Sequence, residues 1–120
     1  MVNKHRELAR LRALAELRKN RELARFADVQ TGFAAIQGQI DRAAAQMRDL
    51  FQSETPFSLE EGRLANLLAQ RLTLEARHAM AAQRELRPAF EAARARAIAE
   101  FGRAKVLDEI SARNERAAAR

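Results

Sequence analysis

The segment between Phe26 and Leu50 carries an apolar side chain at alternating steps of three and four residues. The eight positions are Phe26, Val29, Phe33, Ile36, Ile40, Ala43, Met47 and Leu50. This spacing puts one apolar stripe on one side of an α-helix and is typical of a coiled coil. Polar residues such as Gln37 and Asp41 fall outside the stripe. The pattern predicts a helix with one seam, meaning the stripe of side chains that packs against a neighbouring helix.

Upstream of Phe26 the apolar spacing changes. Leu8, Leu11, Leu14 and Leu17 recur every three residues, so their stripe drifts around a helix instead of staying on one face. The stretch "RKNRE" at 18–22 then offers no apolar residue. We expect one helix over 4–52 whose seam changes phase near Asn20, and a break at that point is the alternative.

The stretch "SETPFSLEEG" at 53–62 interrupts the helical pattern. Ser58 followed three residues later by Glu61 fits a capping box, while Thr55-Pro56 offers a second helix start. We therefore predict a tip at 53–57 and a second helix at 58–118. Pro88 is expected to kink this helix, and three helices are the alternative. The predicted seam of the second helix contains Leu64, Leu68, Leu72, Leu86 and Phe90.

These elements predict an all-α fold, an antiparallel two-helix coiled-coil hairpin that forms a single domain over 1–120. A turn centred near Thr55 would place Phe33 opposite His78 and Ala79. It would also place Ile36 opposite Leu74, and Phe26 opposite Glu85 and Leu86. Two helices with one seam each form a thin core, so we expect a monomer or a weak dimer.

The composition narrows the class of protein further. The chain has no cysteine, which excludes disulfides and thiolate metal sites and fits a reducing cytosol. Only four glycines and two prolines are present, too few for a turn-rich β fold. No signal peptide or membrane-spanning run is visible. We expect a cytoplasmic protein, and a peripheral contact with the inner membrane stays open.

Residues that could carry chemistry are few and scattered. His5 and His78 are not at metal-ligand spacing, and the glycines form no phosphate-binding loop. Glu60 and Glu61 are explained by the charge preference of a helix N-terminus. We therefore expect a protein that is not an enzyme, with no catalytic residue, no cofactor and no bound metal.

Positive charge is concentrated at the two ends of the chain, whose net charge is +6. Residues 1–25 hold eight Lys/Arg against three Glu, a net charge of +5. The candidate partner-binding residues are Arg6, Arg10, Arg12, Arg18, Lys19, Arg21, Arg25, Arg103, Lys105 and Arg113. Such residues could bind an acidic protein surface, nucleic acid or a membrane surface. The alternative is a solvated helix face that binds no partner.

The opening "HRELARLRALAELRKNRELARF" (5–26) and the closing "FGRAKVLDEISARNERAAAR" (101–120) resemble those of a known family. They are similar to FliJ, of the flagellar type III export apparatus, and to the YscO-type stalk proteins of injectisomes. The resemblance implies a coiled-coil stalk that inserts into a hexameric export ATPase, links it to the export gate and handles export chaperones. It implies no catalytic residue. The short chain and Pro88 depart from the family.

Two other functions remain as alternatives at this stage. One is a small basic coiled-coil protein associated with nucleic acid. The other is a generic export chaperone or adaptor that binds a partner helix along the Phe26–Leu50 seam.

Overall fold

The computed structural model describes residues 2–52 and 58–119 and contains two long helices packed together. Helix α1 spans Val2–Phe51 and helix α2 spans Leu59–Ala118. The described residues contain no β-strand, so the predicted all-α helical hairpin is confirmed. The predicted tip at 53–57 lies outside the described residues.

Helix α2 begins with the predicted cap. The Ser58 Oγ accepts a hydrogen bond from the Glu61 backbone N–H at 3.2 Å, and the Ser58 carbonyl accepts one from the Gly62 N–H at 2.8 Å. These bonds satisfy N–H groups that a helix N-terminus otherwise leaves without partners. Glu60 and Glu61 lie in the first turn, where the helix dipole favours acidic side chains. The alternative start at Thr55-Pro56 lies outside the described residues.

Helix α2 continues through Pro88. The residues on both sides of this proline are helical, so the three-helix alternative does not hold. A proline inside a helix removes one backbone donor and crowds the preceding turn. The kink expected at this position stays a prediction.

The chain divides into two compact units, and both helices contribute to each. Unit 1 consists of Met1–Val29 and Ala89–Arg120, and unit 2 consists of Gln30–Pro88. Each unit therefore pairs one segment of α1 with one segment of α2.

Unit 2 is an antiparallel helix pair. The Arg87 guanidinium lies 5.9 Å from the centre of the Phe33 ring, and the Gln83 side-chain amide donates a hydrogen bond to the Gln37 Oε1. Met47 lines a groove together with Thr73. Partners on α2 thus move towards its N-terminus as α1 advances, which is the antiparallel order that we predicted.

The register of unit 2 differs from the predicted one. Phe33 meets Arg87, which lies eight residues beyond Ala79 (87 − 79 = 8). Phe51, at the end of α1, lines a groove with Ala69 and Thr73. The predicted register was wrong because it assumed that both helices pair up to the tip. Instead, the end of α1 at Phe51 lies beside Ala69, so the first ten residues of α2, Leu59–Leu68, lie beyond the end of α1.

Unit 1 is also an antiparallel helix pair. Its part of the α1 seam continues the repeat of three and four residues that runs from Phe26 to Leu50. The Phe26 and Phe90 rings lie 5.5 Å apart between centroids, where we expected Leu86 opposite Phe26. Counting back from Phe26 in steps of four and three reaches Glu22 and Lys19, which are half-buried, and then Ala15, which is buried. The phase change expected near Asn20 does not occur, and α1 is unbroken there.

The core of both units is thin and made of small side chains. The buried hydrophobic residues are Ala15, Ala43, Leu72, Ala79, Ala93, Ala97 and Ala104. Leu72, which is 2% exposed, is the one large side chain in that set. Because alanine is short, an alanine-rich seam lets two helices approach closely while burying little apolar surface.

Neither helix has an apolar stretch long enough to cross a lipid bilayer within the described residues.

Candidate partner-binding surfaces

Four of the ten candidate basic residues form ion pairs within the chain. Arg12 Nη2 lies 3.0 Å from the Asp108 Oδ1, and Arg12 also donates to the Ser111 Oγ at 3.1 Å, so it joins α1 to α2 in unit 1. The other three pairs, Lys19–Glu16, Arg25–Glu22 and Arg103–Glu100, are local to one helix. The positive charge of these four side chains is already neutralised in part by neighbouring carboxylates.

The other six candidate residues are exposed and form no ion pair with the part of the chain that the structure describes. They are Arg6, Arg10, Arg18, Arg21, Lys105 and Arg113. All of them lie in unit 1. An external partner could neutralise their charge without breaking an ion pair with the described residues.

Two of these arginines lie on the outer face of α1. Arg10, Leu14, Leu17 and Arg21 follow one another at steps of four, three and four residues, so they share one helix face, and we name them the Arg–Leu stripe. The stripe lies away from the seam, and all four side chains are exposed. Leu11, Leu14 and Leu17 of the expected drifting stripe are therefore exposed, because the seam itself passes through Ala15, Lys19 and Glu22. Leu8 alone among these four leucines is half-buried.

Charged residues occupy the seam of unit 1, which the sequence reading missed. Glu22 lies 3.8 Å from Arg96 of α2, and Lys19 lies 5.9 Å from the centre of the Phe101 ring. Glu100, just before Phe101, therefore lies close to the level of Lys19 and Glu22, and we name these three residues the charged layer. Counting back from Phe26 in steps of four and three would have found its α1 members.

The carboxylates of the charged layer are only partly satisfied. The Glu22 and Glu100 side chains are 14% and 16% exposed. Each accepts one hydrogen bond through its Oε1, from Arg25 and Arg103 respectively. The Oε2 of each is buried and accepts no hydrogen bond from the described residues. A buried oxygen without a hydrogen bond reduces stability, and the Arg96 Nε at 3.8 Å from the Glu22 Oε2 offsets only part of that cost.

The predicted seam residues divide into two groups. Those that are buried or half-buried are Phe26, Val29, Phe33, Ile36, Ile40, Met47, Leu50, Leu72 and Phe90. Leu64 and Leu68 are 66% and 43% exposed, and Leu86 is exposed to a smaller extent. We predicted Leu64 and Leu68 in the seam, and their exposure places both residues outside it. Ala69, Ala76 and Ala79 occupy the seam instead, because the steps of three and four counted from Leu72 reach alanines.

Unit 2 carries two open grooves on its surface. One, of about 500 Å³, is lined by Gln39, Arg42, Glu75 and His78 together with two alanines. The other, of about 510 Å³, is lined by Met47, Phe51, Leu74 and four further residues. His78 is exposed.

The described residues contain no group of three or more His, Cys, Asp or Glu that could hold a metal ion. His5 is exposed near the start of α1. The arrangement offers surfaces for binding, and its best-defined chemistry is the combination of unpaired arginines and exposed leucines.

Comparison with protein-family models, with curated proteins and with solved structures finds no match for this chain.

Proposed function

We propose that this chain is a non-enzymatic coiled-coil stalk or adaptor of a type III protein-export apparatus. In this proposal it acts at the cytoplasmic side of the inner membrane, where it binds and regulates a hexameric export ATPase. The observation that carries the proposal is the Arg–Leu stripe of unit 1, which has no cover within the described chain. The resemblance of residues 5–26 and 101–120 to FliJ supplies the identity of the partner.

The composition of the stripe favours a protein partner. Two exposed leucines between two unpaired arginines need a surface with an apolar centre and an acidic rim, and protein interfaces commonly provide this combination. Nucleic acid would offer phosphates to Arg10 and Arg21 but would leave Leu14 and Leu17 in water. Binding along the Phe26–Leu50 seam is less well supported, because these residues are already half-buried or buried.

A charge-reversal experiment tests the proposal. Arg10→Glu with Arg21→Glu changes two arginines that form no ion pair with the described residues. Arg42→Glu with Arg84→Glu is the matched control, because it changes the net charge equally on exposed residues of unit 2. Affinity for the purified export ATPase of the same organism would be measured at constant salt. We expect the first variant to bind about tenfold more weakly and the control to bind like the unaltered chain.

Equal binding by both variants would refute the assignment of the stripe. Binding to double-stranded DNA that falls steeply between ~50 and ~200 mM salt, without binding to the ATPase, would favour the nucleic-acid alternative. Helical content, measured by circular dichroism, should be the same in all three proteins because the substituted residues are exposed.

A further inference from the structure

The outer face of α2 in unit 2 carries a second exposed stripe, separate from the Arg–Leu stripe. Its members follow one another at steps of four and three residues, which places them on one helix face. They are Glu60, Leu64, Leu67, Arg71, Leu74 and His78, and we name them the leucine stripe. Every one of them is exposed, and the seam of α2 through Leu72 and Ala79 lies on the other side of the helix.

The two edges of the leucine stripe carry opposite charges. Arg63 and Arg77 each precede a member of the stripe and form a basic edge. Glu61 and Glu75 each follow a member and form an acidic edge. In a coiled coil these edge positions decide which helix can pair and in which orientation.

This charge pattern disfavours a second copy of the chain as the occupant. In an antiparallel pair of identical stripes, each edge meets the same edge of its partner, so Arg63 would face Arg77 and Glu61 would face Glu75. In a parallel pair, Arg71 would pack against Arg71. Like charges at these positions destabilise both arrangements.

We propose that the leucine stripe is a docking site for one amphipathic helix of a different protein. The fitting helix has an apolar seam, an acidic edge opposite Arg63 and Arg77, and a basic edge opposite Glu61 and Glu75. An acidic residue in its seam lies opposite Arg71. Arg71 is available for it, because its pair with Glu75 at 3.1 Å is highly exposed and exchanges at little cost.

Designed peptides provide the probe. The first is a helical peptide of about three heptads with leucines in its seam, one glutamate at the seam centre, an acidic edge and a basic edge. Two comparison peptides share that seam but are basic on both edges or acidic on both edges. Binding to the full chain would be measured by fluorescence anisotropy. We expect the first peptide, with one acidic and one basic edge, to bind about tenfold more tightly than either comparison peptide. Each comparison peptide places like charges opposite one edge of the leucine stripe.

Substitutions in the chain locate the binding. Leu67→Gln with Leu74→Gln should abolish peptide binding, and both positions are exposed, so the helices should remain intact. Leu14→Gln with Leu17→Gln is the matched control and should leave peptide binding unchanged. The control also separates the two proposals, because it alters the Arg–Leu stripe alone.

Three results would overturn the inference. The first is failure of every peptide to bind, and the second is equal binding by all three. The third is a dimer of the free chain, seen by sedimentation, that becomes a monomer with Leu67→Gln and Leu74→Gln, which would identify a second copy as the occupant.

Discussion

Replacement of Glu22 by leucine should stabilise the chain, although it removes a charged residue that forms ion pairs. Glu22 lies in the seam of unit 1, its side chain is 14% exposed, and its Oε2 is buried without a hydrogen bond from the described residues. Leucine fits the repeat at this position because the neighbouring seam positions Phe26 and Val29 are apolar. Both residues are good helix formers, so the change acts through packing and solvation.

The size of the effect follows from the burial of the site. A leucine side chain contributes about 1.5–3 kcal/mol when it is fully buried. The variant loses the hydrogen bond from Arg25 at 3.0 Å, but the Arg25 side chain is 54% exposed, so that pair contributes about 0–1 kcal/mol. The weak pair with Arg96 at 3.8 Å adds little. We therefore expect a net stabilisation of about 0.5–3 kcal/mol, because Arg25 and Arg96 are exposed and stay hydrated when the carboxylate is removed.

Urea unfolding followed by circular dichroism measures the effect as a shift of the midpoint at unchanged slope. Glu91→Leu is the matched control, because Glu91 is an exposed glutamate of α2 in unit 1 that forms no ion pair within the described residues. Its stability should change by less than ~0.5 kcal/mol. If Glu22→Leu is no more stable than Glu91→Leu, the charged layer is not a weak point of the seam, and the reasoning from its unsatisfied oxygens fails.

Two further predictions test the seam and the cap. Leu72→Ala should lower the free energy of unfolding in urea by about 2–4 kcal/mol because Leu72 is 2% exposed, while Leu64→Ala should change it by less than ~0.5 kcal/mol because Leu64 is 66% exposed. Ser58→Ala should cost about 0.5–2 kcal/mol and speed hydrogen exchange at the Glu61 amide, whereas Ser58→Asp should retain the slow exchange. Equal effects of the two leucine changes, or unaltered exchange in Ser58→Ala, would contradict the packing and the cap described above.

The sequence predicted the helices well because their signals are local. The regular apolar repeat from Phe26 to Leu50 identified the seam of α1, and Ser58 with Glu61 identified the start of α2. The repeat needs only the geometry of one helix, and the cap needs only four consecutive residues. Both therefore depend little on tertiary structure.

The register and the seam of α2 were not predictable in the same way. The register depends on how far each helix extends towards the tip, and Leu59–Leu68 extend beyond the level of Phe51. The predicted seam of α2 contained Leu64 and Leu68 as well as Leu72, Leu86 and Phe90, and the leucines of α2 do not all follow one repeat. In the structure, Ala69, Leu72, Ala76 and Ala79 occupy that seam, since they continue one repeat of three and four residues on which Leu64 and Leu68 do not fall.

Alanines occupy much of the seam while several leucines lie on the surface, and this distribution is an argument for binding as the role of this chain. A hairpin whose sequence served only its own stability would bury its leucines, because each buried leucine contributes more than an alanine does. Here Leu14 and Leu17 in unit 1, and Leu64, Leu67 and Leu74 in unit 2, are exposed in stripes at helical spacing. Single exposed leucines need no explanation, but ordered stripes bordered by charges are typical of surfaces that another helix or protein covers. The α2 side of the seam in unit 2 consists largely of alanines around Leu72, while the leucines of the two stripes are left exposed on the outer helix faces.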